Sequence, residues 1–290
     1  MITFLELGKH GRLGNQLFQY AALKSIALKN NYECKIPNPS AMHWHGQQCL
    51  LSEFNIEAEI LTNEDINTIQ NAAYEPSPHL FYEQFFNVPD KTSIHGYFQS
   101  THYFEEFKEQ ICKELTPKKE YLEFAEKYLN PLREDGSEVV SIHFRRGDLT
   151  DGTDPGSTNF YGANDSFEVD SIFGRYLNKA LKLYENKKVK FLVFVGGSRT
   201  GNDADEIRWA NGIFDDPRFH ISNTNDPMKD FSLIMLCDHN ITCHLTTFGW
   251  WAAYLNPNPD KIVAAPADYF HDMPTGYTRP GYFPAEWNMV

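Results

Sequence analysis

The sequence predicts an α/β protein of two domains, and three observations predict it. From residue 138 onward, short apolar runs alternate with amphipathic stretches at the spacing of strands and crossover helices, which implies a parallel sheet. The first 30 residues show the same pattern once, as an apolar run, a glycine-rich turn and a helical stretch. A chain of 290 residues is also long for one core. The Asn130-Pro131 and Asp135-Gly136 breaks place the division between residues 1–135 and 136–290.

Taken in order, residues 2–7 read as a first strand. Gly8-Lys9-His10-Gly11-Arg12 makes a turn, and a helix runs from Gly14 to about Lys29, with Leu13, Leu17, Tyr20, Ala21, Lys24 and Leu28 at helical spacing. Residues 34–36 read as a short second strand. The stretch to about residue 90, rich in Asn, Pro, Gln and His, carries no periodicity, and such loops often hold recognition surfaces. A strand is expected at 93–98, then helical stretches near 102–115 and 118–130. Beyond the division, strands at 138–144, 189–195, 218–222, 240–245 and 261–264 alternate with helices near 170–186, 204–211, 227–237 and 247–255. Ligands of such sheets bind at the carboxyl ends of the strands.

Composition narrows the function. Hydrophobic residues make up 41 % and aromatics 14 %, as in a folded globular protein. A formal net charge of -13 argues against a general nucleic-acid binder, so an anionic ligand needs a local basic site. Five scattered cysteines read as reduced thiols. Residues 2–7 are too short for a signal sequence, and no run approaches the roughly 20 apolar residues of a membrane span. A cytoplasmic protein is expected, with no nucleic-acid partner, no protein partner and no membrane span.

Three segments carry candidate chemistry. Residues 138–150 read EVVSIHFRRGDLT. Strand alternation puts Ser141, His143 and Arg145 on one face and Val140, Ile142 and Phe144 on the other, so His143 and Arg145 project together at the carboxyl end. The guanidinium fork suits phosphate oxygens. A solvated turn paired with Asp148 and an adhesive Arg-Gly-Asp tripeptide are the competing readings. Residues 10–21 read HGRLGNQLFQYA, where Gly11 and Gly14 allow close backbone approach and the free N–H groups of a helix start favour an anion. Asn15 and Gln16 add donors and acceptors there, or Asn15 simply caps the helix.

Residues 230–255 read DFSLIMLCDHNITCHLTTFGWWAAYL, with a Thr246-Thr247-Phe248-Gly249 turn opening an aromatic helix. Threonine hydroxyls beside helix N–H groups again form an anion cradle. Trp250, Trp251 and Tyr254 read as core. Cys237, His239, Cys243 and His244 do not have the spacing of a structural zinc site. Asp203-Ala204-Asp205 matches a metal-binding D-x-D pattern, but its place before a helix suits capping.

Together the three segments resemble the inverting α1,2-fucosyltransferases. That family's H-x-R-R-G-D is present as residues 143–148, its G-R-L-G-N-Q-x-F-x-Y-A as residues 11–21, and its C-x-H-x-I with T-F-G-x-W-A-A-Y-L within residues 237–255. The Pro-x-Glu-Trp ending at Trp287 is also similar. The chain departs from many bacterial members at 243–248, one residue longer than A-N-S-T-F, and in an expanded segment at 194–209.

The resemblance implies a GT-B-like architecture, two Rossmann-like α/β domains facing a cleft. The N-terminal one would take the acceptor and the C-terminal one GDP-β-L-fucose, with no cofactor and no metal. It implies transfer of L-fucose to the 2-hydroxyl of a β-galactoside glycan, in the cytoplasm or peripheral to a membrane where glycans are assembled. By that likeness Arg145 binds the β-phosphate, while His143 and Arg146 shape the site. Asp230 reads guanine, and Thr247 with the N–H of Phe248 completes the phosphate cradle. Asn15 approaches the diphosphate or the fucose, with Arg12, Gly14 and Gln16 beside it. Inversion also needs a base for the acceptor hydroxyl, for which Asp148 and His10 are the candidates. A transferase of another linkage and a non-catalytic nucleotide-sugar or glycan-binding module are the alternatives.

Overall fold

A computed structural model describes residues 1–44, 47–77, 80–146, 172–197, 204–243, 246–267 and 281–290. The chain forms two compact units, one built from Met1–Lys118 with residues 281–285, the other from residues 119–267 with 286–290. The first contains β1 (Ile2–Thr3), α1 (Leu13–Asn30), β2 (Cys34–Ile36), β3 (His43–Trp44), β4 (Gln47–Gln48), β5 (Glu59–Ile60), α2 (Asn63–Thr68), β6 (Asn71–Tyr74), β7 (Thr92–His95) and α3 (Lys108–Glu114). Its main sheet has the order β5-β2-β1-β7-β6, parallel throughout.

The first strand is shorter than the apolar run suggests. After Thr3 the backbone turns, with Leu7 N–H donating to Phe4 O and Lys9 N–H to Glu6 O, so residues 4–9 become a strand-end loop. Likewise β7 stops at His95, because Phe98 adopts a left-handed φ of 52° and Ser100 N–H turns back to Phe98 O. The expected helix at 102–115 is two 3-10 turns followed by the single short α3. Helix α1 is buried along nearly its whole length and ends on Asn31 in the left-handed conformation. Buried Glu114 anchors it by accepting from the Tyr20 hydroxyl and pairing with Lys24 Nζ at 2.9 Å. The C-terminal stretch returns here: Gly281 O accepts from Thr101 N–H and Oγ1, and Tyr282 stacks on Phe18 at 6.1 Å.

The second unit contains α4 (Lys119–Arg133), β8 (Glu138–Arg145), α5 (Ile172–Lys182), β9 (Val189–Gly196), α6 (Ala204–Ile213), β10 (Phe219–Ile221), α7 (Pro227–Leu236), β11 (His239–Ile241), α8 (Thr247–Leu255), β12 (Val263–Ala265) and β13 (Asn288–Met289). Its sheet runs β10-β9-β8-β11-β12-β13, again all parallel. Of the two breaks expected from sequence, Asp135-Gly136 is a turn after the helix, with Gly136 N–H donating to Arg133 O, but Asn130-Pro131 is not a break. Helix α4 continues through Asn130-Pro131 to Arg133, whose guanidinium donates to Asp238 Oδ2 at 3.0 Å and Leu236 O at 2.7 Å. These bonds tie α4 to the end of α7, so the units divide before α4 rather than at residue 135.

Strand alternation in β8 agrees with the sequence. Val140, Ile142 and Phe144 pack in one cluster with Phe173, Tyr176 and Leu177 of α5. On the opposite face Ser141 Oγ accepts from Asn240 Nδ2 at 2.8 Å. Trp250 and Trp251 are fully buried core residues, and Trp250 stacks on Tyr254 at 4.9 Å. None of the five cysteines is in a disulfide. No helix among the described residues is long and apolar enough to cross a membrane.

Candidate functional site

The carboxyl end of the second sheet gathers five of the expected residues: His143, Arg145, Asp230, Thr247 and Phe248. His143 and Arg145 occupy alternate, half-buried positions at the end of β8. Helix α8 begins beside them, because Gly249 presents no side chain. A Cβ there would stand 2.8 Å from His143 Nδ1. The Phe248 ring lies 5.3 Å from His143 and meets Phe231 of α7 edge-on at 5.3 Å. Thr246 caps α8 by accepting the Phe248 N–H at 3.3 Å. With no acidic residue in the first turn, this helix start keeps its positive end.

The next residue back from Phe231 is Asp230. Its Oδ1 accepts from Ser222 Oγ and Thr224 Oγ1, both at 2.8 Å. Two hydroxyls from the loop after β10 therefore fix the plane of this carboxylate and direct its acceptors.

The surroundings of His143 push its pKa down to about 3, chiefly by removing it from water and secondarily through the Arg145 charge. The ring is neutral at neutral pH, and its Nδ1 makes no hydrogen bond among the described residues. An unfolded histidine titrates near about 6.5. Between these values the unfolded chain binds a proton that the folded chain refuses, so stability is present above about pH 6.5 and falls as pH drops, by at most about 1.4 kcal/mol per unit. Urea unfolding at about pH 7 and about pH 5 should show a smaller pH effect in His143→Asn than in the unsubstituted protein. Equal pH effects in both would exclude the histidine as their source.

Arg146 points into different company. It is 5 % exposed, donates from Nη1 to Glu206 Oε2 at 3.0 Å, and lies over the Trp209 ring at 4.2 Å. Its N–H donates to Gly196 O at 2.9 Å. Arg146 therefore fastens the end of β8 to β9 and α6, while Arg145 faces the strand-end site. Asp148 lies outside the described residues.

The other expected residues belong to the first unit. Gly11 adopts a φ of 80°, and a Cβ on it would stand 2.2 Å from Asn15 Nδ2, so only glycine fits there. Helix α1 starts after Arg12, which means Asn15 is inside the first turn and not the cap. Asn15 Oδ1 accepts from Gln99 Nε2 at 2.9 Å. Gln16 Nε2 donates to Gly11 O at 3.1 Å, and its buried Oε1 takes no hydrogen bond among the described residues. Arg12 is half-buried and Gly14 is buried at the helix start. Gln19 ties His10 O to Gly96 O, at 3.2 Å each.

Two motifs resolve into structure. His239 Nδ1 accepts from Ile262 N–H at 3.0 Å and Nε2 faces Glu138 at 3.3 Å, so both ring nitrogens serve the sheet. His244 and Asp203 lie outside the described residues, and Asp205 pairs with Arg208 at 2.8 Å. No group of three His, Cys, Asp or Glu could hold a metal among the described residues. Sequence reasoning missed Ser222 and Thr224, which orient Asp230, and Glu206 with Trp209, which hold Arg146. A hydroxyl pair six and eight residues before Asp230 was the available signal for the first.

Two parallel α/β sheets, one of them carrying arginine, neutral histidine, a capped helix start and an oriented carboxylate at its strand ends, define a GT-B-like fold. The pattern of glycosyl transferase family 11 matches residues 3–289, and the chain belongs to that family. It is 25 % identical over 304 residues to the O-antigen biosynthesis glycosyltransferase WbnK of Escherichia coli, covering 90 % of this chain and 93 % of that one. Galactoside α-(1,2)-fucosyltransferase 2 of Rattus norvegicus is 28 % identical over 252 residues. That match covers 84 % of this chain but 65 % of the rat protein, just under two thirds of its length. NodZ α-1,6-fucosyltransferase, soaked with GDP-fucose, shares the fold with a TM-score of 0.50 at 14 % identity, over 88 % of this chain and 92 % of that one. The resemblance to the α1,2-fucosyltransferases thus holds at the level of the family.

Proposed function

We propose that this chain is an inverting, metal-independent transferase that moves L-fucose from GDP-β-L-fucose to the 2-hydroxyl of a β-galactoside glycan. The observation that carries the reading is the strand-end grouping in the second unit, with Arg145 and neutral His143 beside the start of α8 and Asp230 held by two hydroxyls. In this reading Arg145 takes the β-phosphate, with Thr247 and the helix start completing the cradle. Asp230 accepts from the ring N–H and amino group of guanine. Breaking the bond from fucose to phosphate leaves growing negative charge on GDP, which a preplaced guanidinium stabilises without reorganisation. The neutral imidazole adjoins that charge without competing for it. In the first unit, Asn15 is steadied by Gln99.

The purified protein, incubated with GDP-fucose, EDTA and a panel of β-galactosides, is expected to release GDP and form an α1,2 product. Binding of GDP without turnover would convert the reading to a nucleotide-sugar-binding protein, and another linkage in the product would retain the donor site and change the acceptor. Neither turnover nor GDP binding by calorimetry would overturn the reading.

A further inference from the structure

The first unit carries its own grouping at the carboxyl ends of neighbouring strands. Tyr74 ends β6 and His95 ends β7, paired in register. Their rings stack at 4.7 Å and 15°. His95 is braced from behind by Phe4, edge-on at 5.6 Å, and by Ser93 Oγ at 3.0 Å from Nε2. Its Nδ1 faces Glu6 Oε2 at 3.4 Å, in the loop after β1. His10 Nε2 meets the same oxygen at 2.9 Å. His10 therefore holds one oxygen of Glu6 by a hydrogen bond, with His95 Nδ1 close to the same atom but not bonded to it. The Tyr74 ring is held flat by its partner and is 68 % exposed.

The neighbouring turn is fixed as well. Glu75 Oε2 accepts from Tyr97 N–H at 2.7 Å and Phe98 N–H at 3.1 Å. A Cβ on Gly96 would stand 2.5 Å from Glu75 Cβ, so glycine lets this carboxylate close on the turn. The turn continues into Gln99 and through it to Asn15.

We infer that Tyr74, Glu6 and His10 form the subsite that binds the acceptor sugar. A rigid exposed aromatic ring offers a face to the C–H groups of a pyranose, and a carboxylate fixed through one oxygen accepts sugar hydroxyls. Glu6 stays ionised for that task, since the hydrogen bond from His10 lowers its pKa. The titratable groups here are Tyr74, Glu6, Glu75, His10, His95 and Tyr97, with exposed Lys9 in the same loop. The identity of the sugar as an acceptor rests on the proposed function; its binding does not.

The test pairs kinetics with a donor-free measurement. Tyr74→Ala and Glu6→Ala are expected to raise the acceptor KM about tenfold or more while leaving kcat and the GDP-fucose KM within about twofold. Saturation-transfer NMR with lactose alone should show contact to the galactose ring in the unsubstituted protein and its loss in Tyr74→Ala. Transfer with an unchanged acceptor KM in both variants overturns the subsite and leaves the activity standing. Tyr74-dependent lactose contact without any transfer overturns the activity and leaves the subsite standing. No lactose contact in the unsubstituted protein overturns the subsite.

Discussion

Arg145→Ala is expected to lower kcat for fucosyl transfer by about 100- to 1000-fold, the usual effect of removing one donor aimed at developing charge. Its thermal melt should stay close to that of the unsubstituted protein. The two halves follow from position. Arg145 ends β8 on the half-buried face and takes no part in the cluster of Val140, Ile142 and Phe144. Removing its side chain leaves that packing whole. On the proposed function, the loss falls instead on the departing GDP. Arg145→Lys should recover part of the rate, since it restores charge but not the planar fork. GDP release under saturating donor, together with a melting curve, checks both halves; an unfolded Arg145→Ala protein would return the residue to a structural role.

Arg146→Ala should behave in the opposite way. The Arg146–Glu206 side chains are 7 % and 12 % exposed, so truncating Arg146 takes away the charge that Glu206 meets at 3.0 Å in a largely dry environment, at a cost of about 3–5 kcal/mol. Loss of the stack on Trp209 adds to this. Urea denaturation is expected to show that deficit, and Arg146→Met combined with Glu206→Leu should recover most of it, because removing both charges also removes their desolvation. A stability loss of under about 1 kcal/mol in Arg146→Ala would mean the pair is effectively solvated. Two adjacent arginines of one motif thus divide: one is read out in rate and the other in stability.

How far the sequence anticipates this depends on where each partner sits in the chain. The roles of the two β8 faces were legible from period-two alternation alone, because the strand is long and one face is core. The helix after Arg12 and the aromatic α8 were equally legible. The fixing of Arg146 was not, since Glu206 lies sixty residues away, in a helix whose acidic start reads as capping. Strands β5 and β6 were invisible because they are short and largely exposed, so no hydrophobic alternation marks them. For the same reason the Tyr74 to Glu6 grouping has no linear signature; parallel pairing brings together residues from three distant strand ends. Asn130-Pro131 misled because a tertiary anchor at Arg133 outweighs one missing backbone donor.

The return of residues 281–285 to the first unit has a consequence for synthesis. Tyr282 fills a place against Phe18, and Gly281 satisfies two donors of Thr101, so the first unit is completed by residues that follow most of the second unit in the chain. Domains usually fold in order as they emerge from the ribosome. Here the first unit must wait, with the part of Phe18 that meets Tyr282 uncovered, until residues 119–267 of the second unit have been translated. A unit that precedes its neighbour in the chain is therefore finished after most of that neighbour is made, and a nascent chain stalled before residue 281 should expose that surface to chaperones and proteases.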